Sequence, residues 1–296
     1  MASENVTNNS GMMLGRFAMS VDVEDYFQVW AFSDIISRES WDGYLLRVGD
    51  ATRACLDLFD RHDAKATFFT LGWVAERDPE LIREIAARGH EVASHGYDHT
   101  KVNLQDRKSF AEDVSRTKKI LEDITGVEVI GFRAAGFSID ATTPWAHEVL
   151  AEAGHIYSSS SHPIAHDHYG DANAPQTPYR PVAGTDFIEA PVATTNLFGK
   201  RVSCAGGGWF RAMPYSLSSR LIKRAERNLD GAVIFYFHPW EIDKDQPRIA
   251  GASAKAKFRH YLNLGAMEGK LSSLLEARQW SRVDQVLGVR AEHIAP

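Results

Sequence analysis

The sequence predicts an α/β fold, a parallel sheet or barrel with helices packed outside it. Three observations carry this. Strand-like and helix-like segments alternate along most of the chain, an order that favours parallel strands joined by crossover helices. The runs 66–71 and 231–237 have the apolar, aromatic and β-branched content of buried strands. The polar residues that stand out as candidates for chemistry follow such runs, where sites gather on folds of this class.

The elements follow in order. Residues 17–23 form an apolar run that ends among Asp22, Glu24 and Asp25, and an amphipathic stretch through Leu45, Leu46, Val48, Cys55, Leu56 and Phe59 predicts a helix. After the strand at 66–71, Asp78 caps a helix with Pro79 in its first turn, Leu81, Ile82, Ile85 and Ala86 as its apolar stripe, and Gly89 as its stop. Residues 91–94 are the next strand. A helix from about Asp106 places Phe110, Val114, Thr117, Leu121 and Ile124 on one face and stops at Gly126. A strand at 127–132 ends at Arg133, and 143–153 reads as a helix closed by Gly154. The run 158–181, rich in Ser, His, Asp, Gly and Pro, reads as a long loop. A strand is expected at 187–192, a loop around Gly206-Gly207-Gly208, a helix at 215–229, a strand at 231–237 ending at His238, and a helical stretch over 253–278.

The chain has 296 residues, 44% of them hydrophobic, with a formal net charge of −6 from 33 basic and 39 acidic residues. That length supports one large α/β domain. Mixed charge without a basic stripe excludes a nucleic-acid partner. The two cysteines, Cys55 and Cys204, are too far apart in sequence for a metal-type pair and make no disulfide framework. Residues 1–15 are polar and Asn-rich, so they read as a disordered tail and not a signal peptide. No run approaches the roughly 20 apolar residues of a membrane span. A cytoplasmic protein is the resulting expectation.

Chemistry centres on Ser94-His95-Gly96-Tyr97-Asp98-His99. Two histidines four residues apart share one face of a helical turn and can reach one metal ion. Two histidines and one carboxylate leave open positions on a divalent cation, the layout of a catalytic site. A second, unligated carboxylate can then take a proton from water. Asp22 with Glu24 or Asp25 supplies both kinds of group, although acidic residues at strand ends also serve as helix caps. Arg133 can hold the base carboxylate ionised, and His238 is placed to protonate a leaving group.

In this order the residues resemble the polysaccharide deacetylases of the NodB-homology type, carbohydrate esterase family 4. Ser20-Val21-Asp22-Val23-Glu24-Asp25 is similar to the first motif of that family, Ser94-His95-Gly96-Tyr97-Asp98-His99 to the second, Arg133-Ala134-Ala135 to the third and Tyr236-Phe237-His238 to the last. The narrower run Val21 to Phe27, with Gly206-Gly207-Gly208-Trp209-Phe210-Arg211, His238-Pro239-Trp240-Glu241-Ile242-Asp243 and Phe258-Arg259-His260-Tyr261-Leu262-Asn263-Leu264, resembles a subgroup associated with exopolysaccharide and exosortase gene clusters.

The resemblance implies an irregular (β/α) barrel, a single domain over 16–290 with a subgroup-specific C-terminal extension from about 205. It implies Asp22 as base, His95 and His99 as metal ligands with Glu24 or Asp25 as the third, Arg133 orienting Asp22, and His238 as acid. Trp209, Trp240 and Phe137 are the candidates for substrate contacts, and a backbone N–H of Gly136 or Phe137 for the oxyanion. The implied cofactor is a divalent ion, zinc first and cobalt next. The implied reaction is removal of N-acetyl groups from an N-acetylated glycan or a lipid-linked oligosaccharide. Two departures matter: Ala135 stands where the family has proline, and Ser158 where relatives carry the aspartate expected to support the acidic histidine. Asp167 and Glu189 are possible substitutes for it. A metal-independent amidase and a non-catalytic glycan-binding barrel are the competing readings.

Overall fold

The structure is a computed structural model and describes residues 16–164, 170–229 and 231–289. The expected tail at 1–15 and Asp167 lie outside the described residues.

The first strand, β1 (Phe17–Val23), leads through two 3-10 turns to α1 (Val48–Arg61). Next come β2 (Thr67–Thr70), α2 (Gly72–Arg77), α3 (Pro79–Ala87), β3 (Glu91–Ser94), α4 (Arg107–Thr125), β4 (Gly131–Phe132), α5 (Ala146–Glu152), β5 (Tyr157–Ser158) and β6 (Ile188–Glu189). A hairpin of β7 (Thr194–Leu197) and β8 (Lys200–Ser203) precedes α6 (Gly207–Ala212), α7 (Tyr215–Asn228) and β9 (Val233–Phe237). The chain ends in α8 (Ala254–Tyr261), α9 (Leu264–Glu276) and α10 (Val283–Leu287). Asp78 caps α3 as the sequence predicts, Asp106 caps α4, and Gly126 ends α4 at φ 68°.

Seven strands pair in the order β6-β5-β4-β3-β2-β1-β9, all parallel. The sheet curls into a half-barrel of the expected class, with additional helices after it. The gap between its edges is narrowed by the segment around the hairpin: Ala193 N–H donates to Ile234 O (3.0 Å), and Tyr236 N–H to Ala205 O (2.9 Å). Every residue of β1, β2, β3 and β9 is buried. Burial on both faces is why these runs lack the apolar–polar alternation of a half-exposed strand, and the polar residues they hold, among them Asp22 and Glu91, are buried as well.

Several elements are shorter than the sequence suggests. The strand at 127–132 contracts to Gly131–Phe132, and the strand at 187–192 to Ile188–Glu189. The helix expected over 253–278 is two helices, because Asn263 takes a left-handed φ of 54° between them. Gly207 and Gly208 open α6 instead of lying in a loop. The hairpin β7–β8, with little apolar alternation to announce it, was not expected. No helix among the described residues is long and apolar enough to cross a membrane.

The floor of the half-barrel is a buried polar cluster. Tyr157 Oη donates to Glu91 Oε1 at 2.8 Å, Thr67 Oγ1 bonds the other carboxylate oxygen, and Val283 N–H donates to Thr67 Oγ1 at 2.8 Å. Gly131 gives Tyr157 its space, since a Cβ there would overlap the phenol oxygen. Tyr157 is pinned by Glu91 and cannot swing away, so Gly131→Ala is expected to destabilise the fold by about 1–3 kcal/mol. Urea unfolding measures this, and Gly126→Ala, at an exposed cap with nothing near its Cβ, is the comparison for backbone strain alone.

Candidate active site

The carboxyl ends of four strands converge. Asp22 is the penultimate residue of β1, His95 follows β3, Arg133 follows β4 and His238 follows β9. Parallel register sets them at one level: His95 N–H donates to Thr70 O (3.0 Å), and Arg133 N–H to Ser94 O (2.9 Å).

Alternation along β1 decides which acidic residue joins the site. Asp22 and Glu24 share one parity and therefore one face. The chain then turns tightly, with Glu24 N–H on Asp22 O at 3.0 Å. Asp25 faces the other way and lies outside the cluster that could hold a metal. Its Oδ2 accepts from Arg47 N–H (2.7 Å) and Val48 N–H (2.9 Å), and its Oδ1 from Tyr26 N–H (2.8 Å). It caps α1 from a distance. Burial outweighs those bonds and pushes its carboxyl up to about 6.

Glu24, His95 and His99 offer ligand atoms that all lie within 4.8 Å of one another. Glu24 Oε2 lies 3.0 Å from His99 Nε2, yet this buried oxygen makes no hydrogen bond. An orphaned carboxylate oxygen facing imidazole nitrogen is the arrangement a divalent cation satisfies. The other oxygen, Oε1, accepts from Trp240 Nε1 at 3.3 Å. His95 Nδ1 is 2.8 Å from Arg133 O; as the donor to that carbonyl it leaves Nε2 with a free lone pair. The residues present fit a divalent metal.

The loop carrying the histidines is not helical. Gly96 and His99 both have left-handed φ, 74° and 60°. Gly72 N–H and Trp73 N–H donate to Gly96 O (3.0 Å) and Tyr97 O (2.9 Å), and Tyr97 N–H donates to Asp113 Oδ1 (2.8 Å). Tertiary bonds from α2 and α4 thus hold a backbone that a non-glycine residue adopts only under strain. The two imidazole rings come to 5.3 Å by this route.

Asp22 sits beside the cluster without belonging to it. Arg133 Nη1 donates to Asp22 Oδ1 (2.6 Å) and to Ser20 Oγ (2.8 Å), Nε to Ser159 O (2.9 Å) and Nη2 to Ser159 Oγ (2.9 Å). The guanidinium also lies 4.1 Å over Phe69. These bonds fix Arg133 without the proline that Ala135 replaces. Burial would raise the Asp22 carboxyl, but Arg133, His95 and His238 together hold it below the usual carboxylate range.

His238 completes the group, its Nε2 lying 3.4 Å from Glu24 Oε1 and 4.0 Å from Asp22 Oδ2. Burial opposes its charge, yet Glu24, Glu241 and Asp22 overcome this and push it up to about 9. The partner of its Nδ1 is Glu241, at 2.8 Å, a residue of the His238–Asp243 motif whose role the sequence alone does not reveal. The spacing of three residues across Pro239 was the available signal. Glu189, weighed as that partner, is engaged elsewhere by Ser160 N–H (2.9 Å), Ser161 N–H (2.8 Å) and His147 Nε2 (3.1 Å).

The substrate-contact candidates separate. Trp209 is 43% exposed. Trp240 is buried with both faces covered, by His238 at 5.1 Å and His260 at 4.1 Å, so it offers no platform to a ligand. Phe137 is buried against Tyr236 (4.8 Å) and His162 (5.3 Å), and its N–H is taken by Ala134 O at 3.0 Å, which removes it as the oxyanion donor.

Fold and site define a class: α/β half-barrel proteins with a His-His-Glu metal-binding cluster at the strand ends. Residues 42–157 match the polysaccharide deacetylase family, and residues 159–288 match a domain of unknown function, DUF3473. Over residues 42–157 the chain is thus similar to the polysaccharide deacetylase family. It is 36% identical over 75 residues to the peptidoglycan-N-acetylglucosamine deacetylase PgdA of Listeria monocytogenes, covering 25% of this chain and 16% of that protein. It is 27% identical over 111 residues to a chitooligosaccharide deacetylase of Sinorhizobium fredii, covering 38% and 49%. The chain thus spans less than half the length of either relative. Among solved structures, one described as a polysaccharide deacetylase from Mycobacterium smegmatis superposes with a TM-score of 0.56 at 21% identity, covering 95% of this chain and 90% of that one; this shows the shared fold.

Burial holds His99 down to about 4, with Glu24 only partly opposing it. Protons therefore do not compete for His99 at neutral pH. Isothermal titration with zinc or cobalt is expected to give an affinity that is level from about pH 8 to pH 6 and falls as pH approaches 4. A fall centred near 6.5 would contradict this environment for His99.

Proposed function

We propose that this protein is a metal-dependent hydrolase that removes N-acetyl groups from the amino sugars of an exopolysaccharide or its lipid-linked precursor. The observation that carries the reading is the pairing of a converged Glu24-His95-His99 cluster, with Glu24 Oε2 lacking a hydrogen bond, with a separate, arginine-held carboxylate, Asp22. A cation with this nitrogen and oxygen donor set, zinc or cobalt, would supply Lewis acidity toward the acetamide and toward water.

The chain's own groups do the rest. Asp22, kept ionised by Arg133, takes a proton from the attacking water. Arg133 stays charged and buried, so Asp22 cannot rotate out of line. His238 presents Nε2 toward the same space and donates a proton to the departing amine nitrogen as the C–N bond breaks. Trp209 lines a cleft of about 490 Å³ with Trp30, Phe258 and Arg259, which suits an elongated ligand with apolar ring faces. Support for an N-acetylated glycan comes from the deacetylases named above, and support for an exopolysaccharide from the motif resemblance around Trp209 and His238.

Acetate release from peptidoglycan fragments, chitooligosaccharides and lipid-linked N-acetylhexosamines tests the reading. Activity on at least one, abolished by a chelator and restored by zinc or cobalt, is the expected outcome. Asp22→Asn should lower kcat by about 10²–10⁴-fold with metal content unchanged. No acetate from any of these, with metal bound, would sink the proposal.

A further inference from the structure

His238 is held from behind by groups outside the matched deacetylase segment. Glu241 Oε1 accepts from His238 N–H (3.1 Å) and lies 2.8 Å from His238 Nδ1. Its other oxygen accepts from Arg211 Nε at 2.6 Å. Glu241 has no solvent exposure and Arg211 has 2%. Arg211 is anchored in turn by carbonyls at the end of α8: Nη1 donates to His260 O (2.8 Å) and Leu262 O (2.7 Å). The carbonyl end of a helix favours a cation. Gly207 makes room for the carboxylate, since a Cβ there would overlap Glu241. Two of the three glycines and the arginine of the Gly206–Arg211 run therefore gain a physical reason, while a Cβ at Gly208 would meet nothing. Gly206 yields to Tyr236, Gly207 yields to Glu241, and Arg211 grips Glu241.

We propose that Glu241, clamped by Arg211, is the positioning residue for His238. It does from the turn after β9 what the missing carboxylate at Ser158 would do from β5. Accepting from Nδ1–H fixes the ring with Nε2 facing Asp22 and Glu24, so that the proton donated is the Nε2–H of the imidazolium and the ring is left as the Nδ1–H form. Arg211 keeps the acceptor an anion. Ser158 is released from that task, and its hydroxyl pairs with Ser160 Oγ at 2.6 Å. This assignment rests on the hydrolase reading only for its kinetic consequence; the imidazole geometry stands apart from it.

The test uses Glu241→Gln and Arg211→Met in the full chain. Both are compared on an N-acetylated glycan, whose leaving amine must be protonated, and on 4-nitrophenyl acetate, whose phenolate leaves without a proton. Amide turnover is expected to fall about 10²-fold or more while ester turnover changes by less than about threefold. Nitrogen-15 NMR of the metal-free protein should show His238 as the Nδ1–H form or the imidazolium in the wild type, with that signature lost in Glu241→Gln. If amide and ester fall together, with the His238 signals unchanged, Glu241 is a structural strut and the proposal is overturned. If the wild type hydrolyses no glycan, the hydrolase reading fails, and the NMR comparison alone decides the assignment. Should Glu241→Gln not fold, Arg211→Met carries the same two measurements.

Discussion

A guanidinium without access to water dictates much of this architecture. Arg133 has no exposed surface, so its charge must be met and its N–H groups bonded inside the protein. The acceptors come from two places in the chain: Ser20 and Asp22 on β1, and Ser159 just after β5. Removing the arginine would strand Asp22 as an unpaired buried anion, a change worth about 3–5 kcal/mol in comparable pairs. The same bonds hold Asp22 ionised and aimed at the space next to the metal-binding cluster. Stability and chemistry thus share one pair. The carbonyl of Arg133 adds a third duty by taking Nδ1 of His95.

The turn after β9 works in a similar way with successive residues facing different neighbours. His238 faces the strand ends, Trp240 bonds Glu24 and covers one face of His238, and Glu241 reaches back to Nδ1 of that ring. Behind them His260 closes the stack, its Nε2 2.6 Å from Gln246 Oε1. Burial holds that imidazole down at about 3, so it packs against Trp240 as a neutral ring. Segments far beyond the barrel core thereby form the back wall of the site.

How much of this the sequence reveals depends on the kind of interaction. Asp22, His95, Arg133 and His238 are legible because each is a polar residue directly after an apolar run, and parallel strands present such residues together. The parity of Asp22 and Glu24 along β1 was also legible, and it separates Glu24 from Asp25; the uncertain end of the strand obscured it. Burial of Trp240 and Phe137 was not legible, since an aromatic residue reads the same whether both faces are covered or open. The loop at His95–His99 misled in a different way: spacing by four implies a helical turn, but the left-handed Gly96 and His99 bring the rings together by another path. Glu241 was hidden because its partner Arg211 is 30 residues away in sequence and belongs to a different element.

The place of β1 in the sheet has a consequence for how the chain acquires its structure. This first strand is flanked by β2 on one side and by β9, more than 200 residues later, on the other. Its backbone is also stitched to Ser281, with Met19 N–H on Ser281 O and Ser281 N–H on Phe17 O, both at 3.0 Å. A chain emerging from the ribosome makes β1 more than 200 residues before its last partners. Until then an apolar strand has one unpaired edge, the kind of segment that recruits other chains. Contacts of such long separation also slow folding, because a large loop must close before they form. The segment between α9 and α10 therefore takes part in closing β1, and a truncation after His238, which keeps β9, would still remove both hydrogen bonds to Ser281.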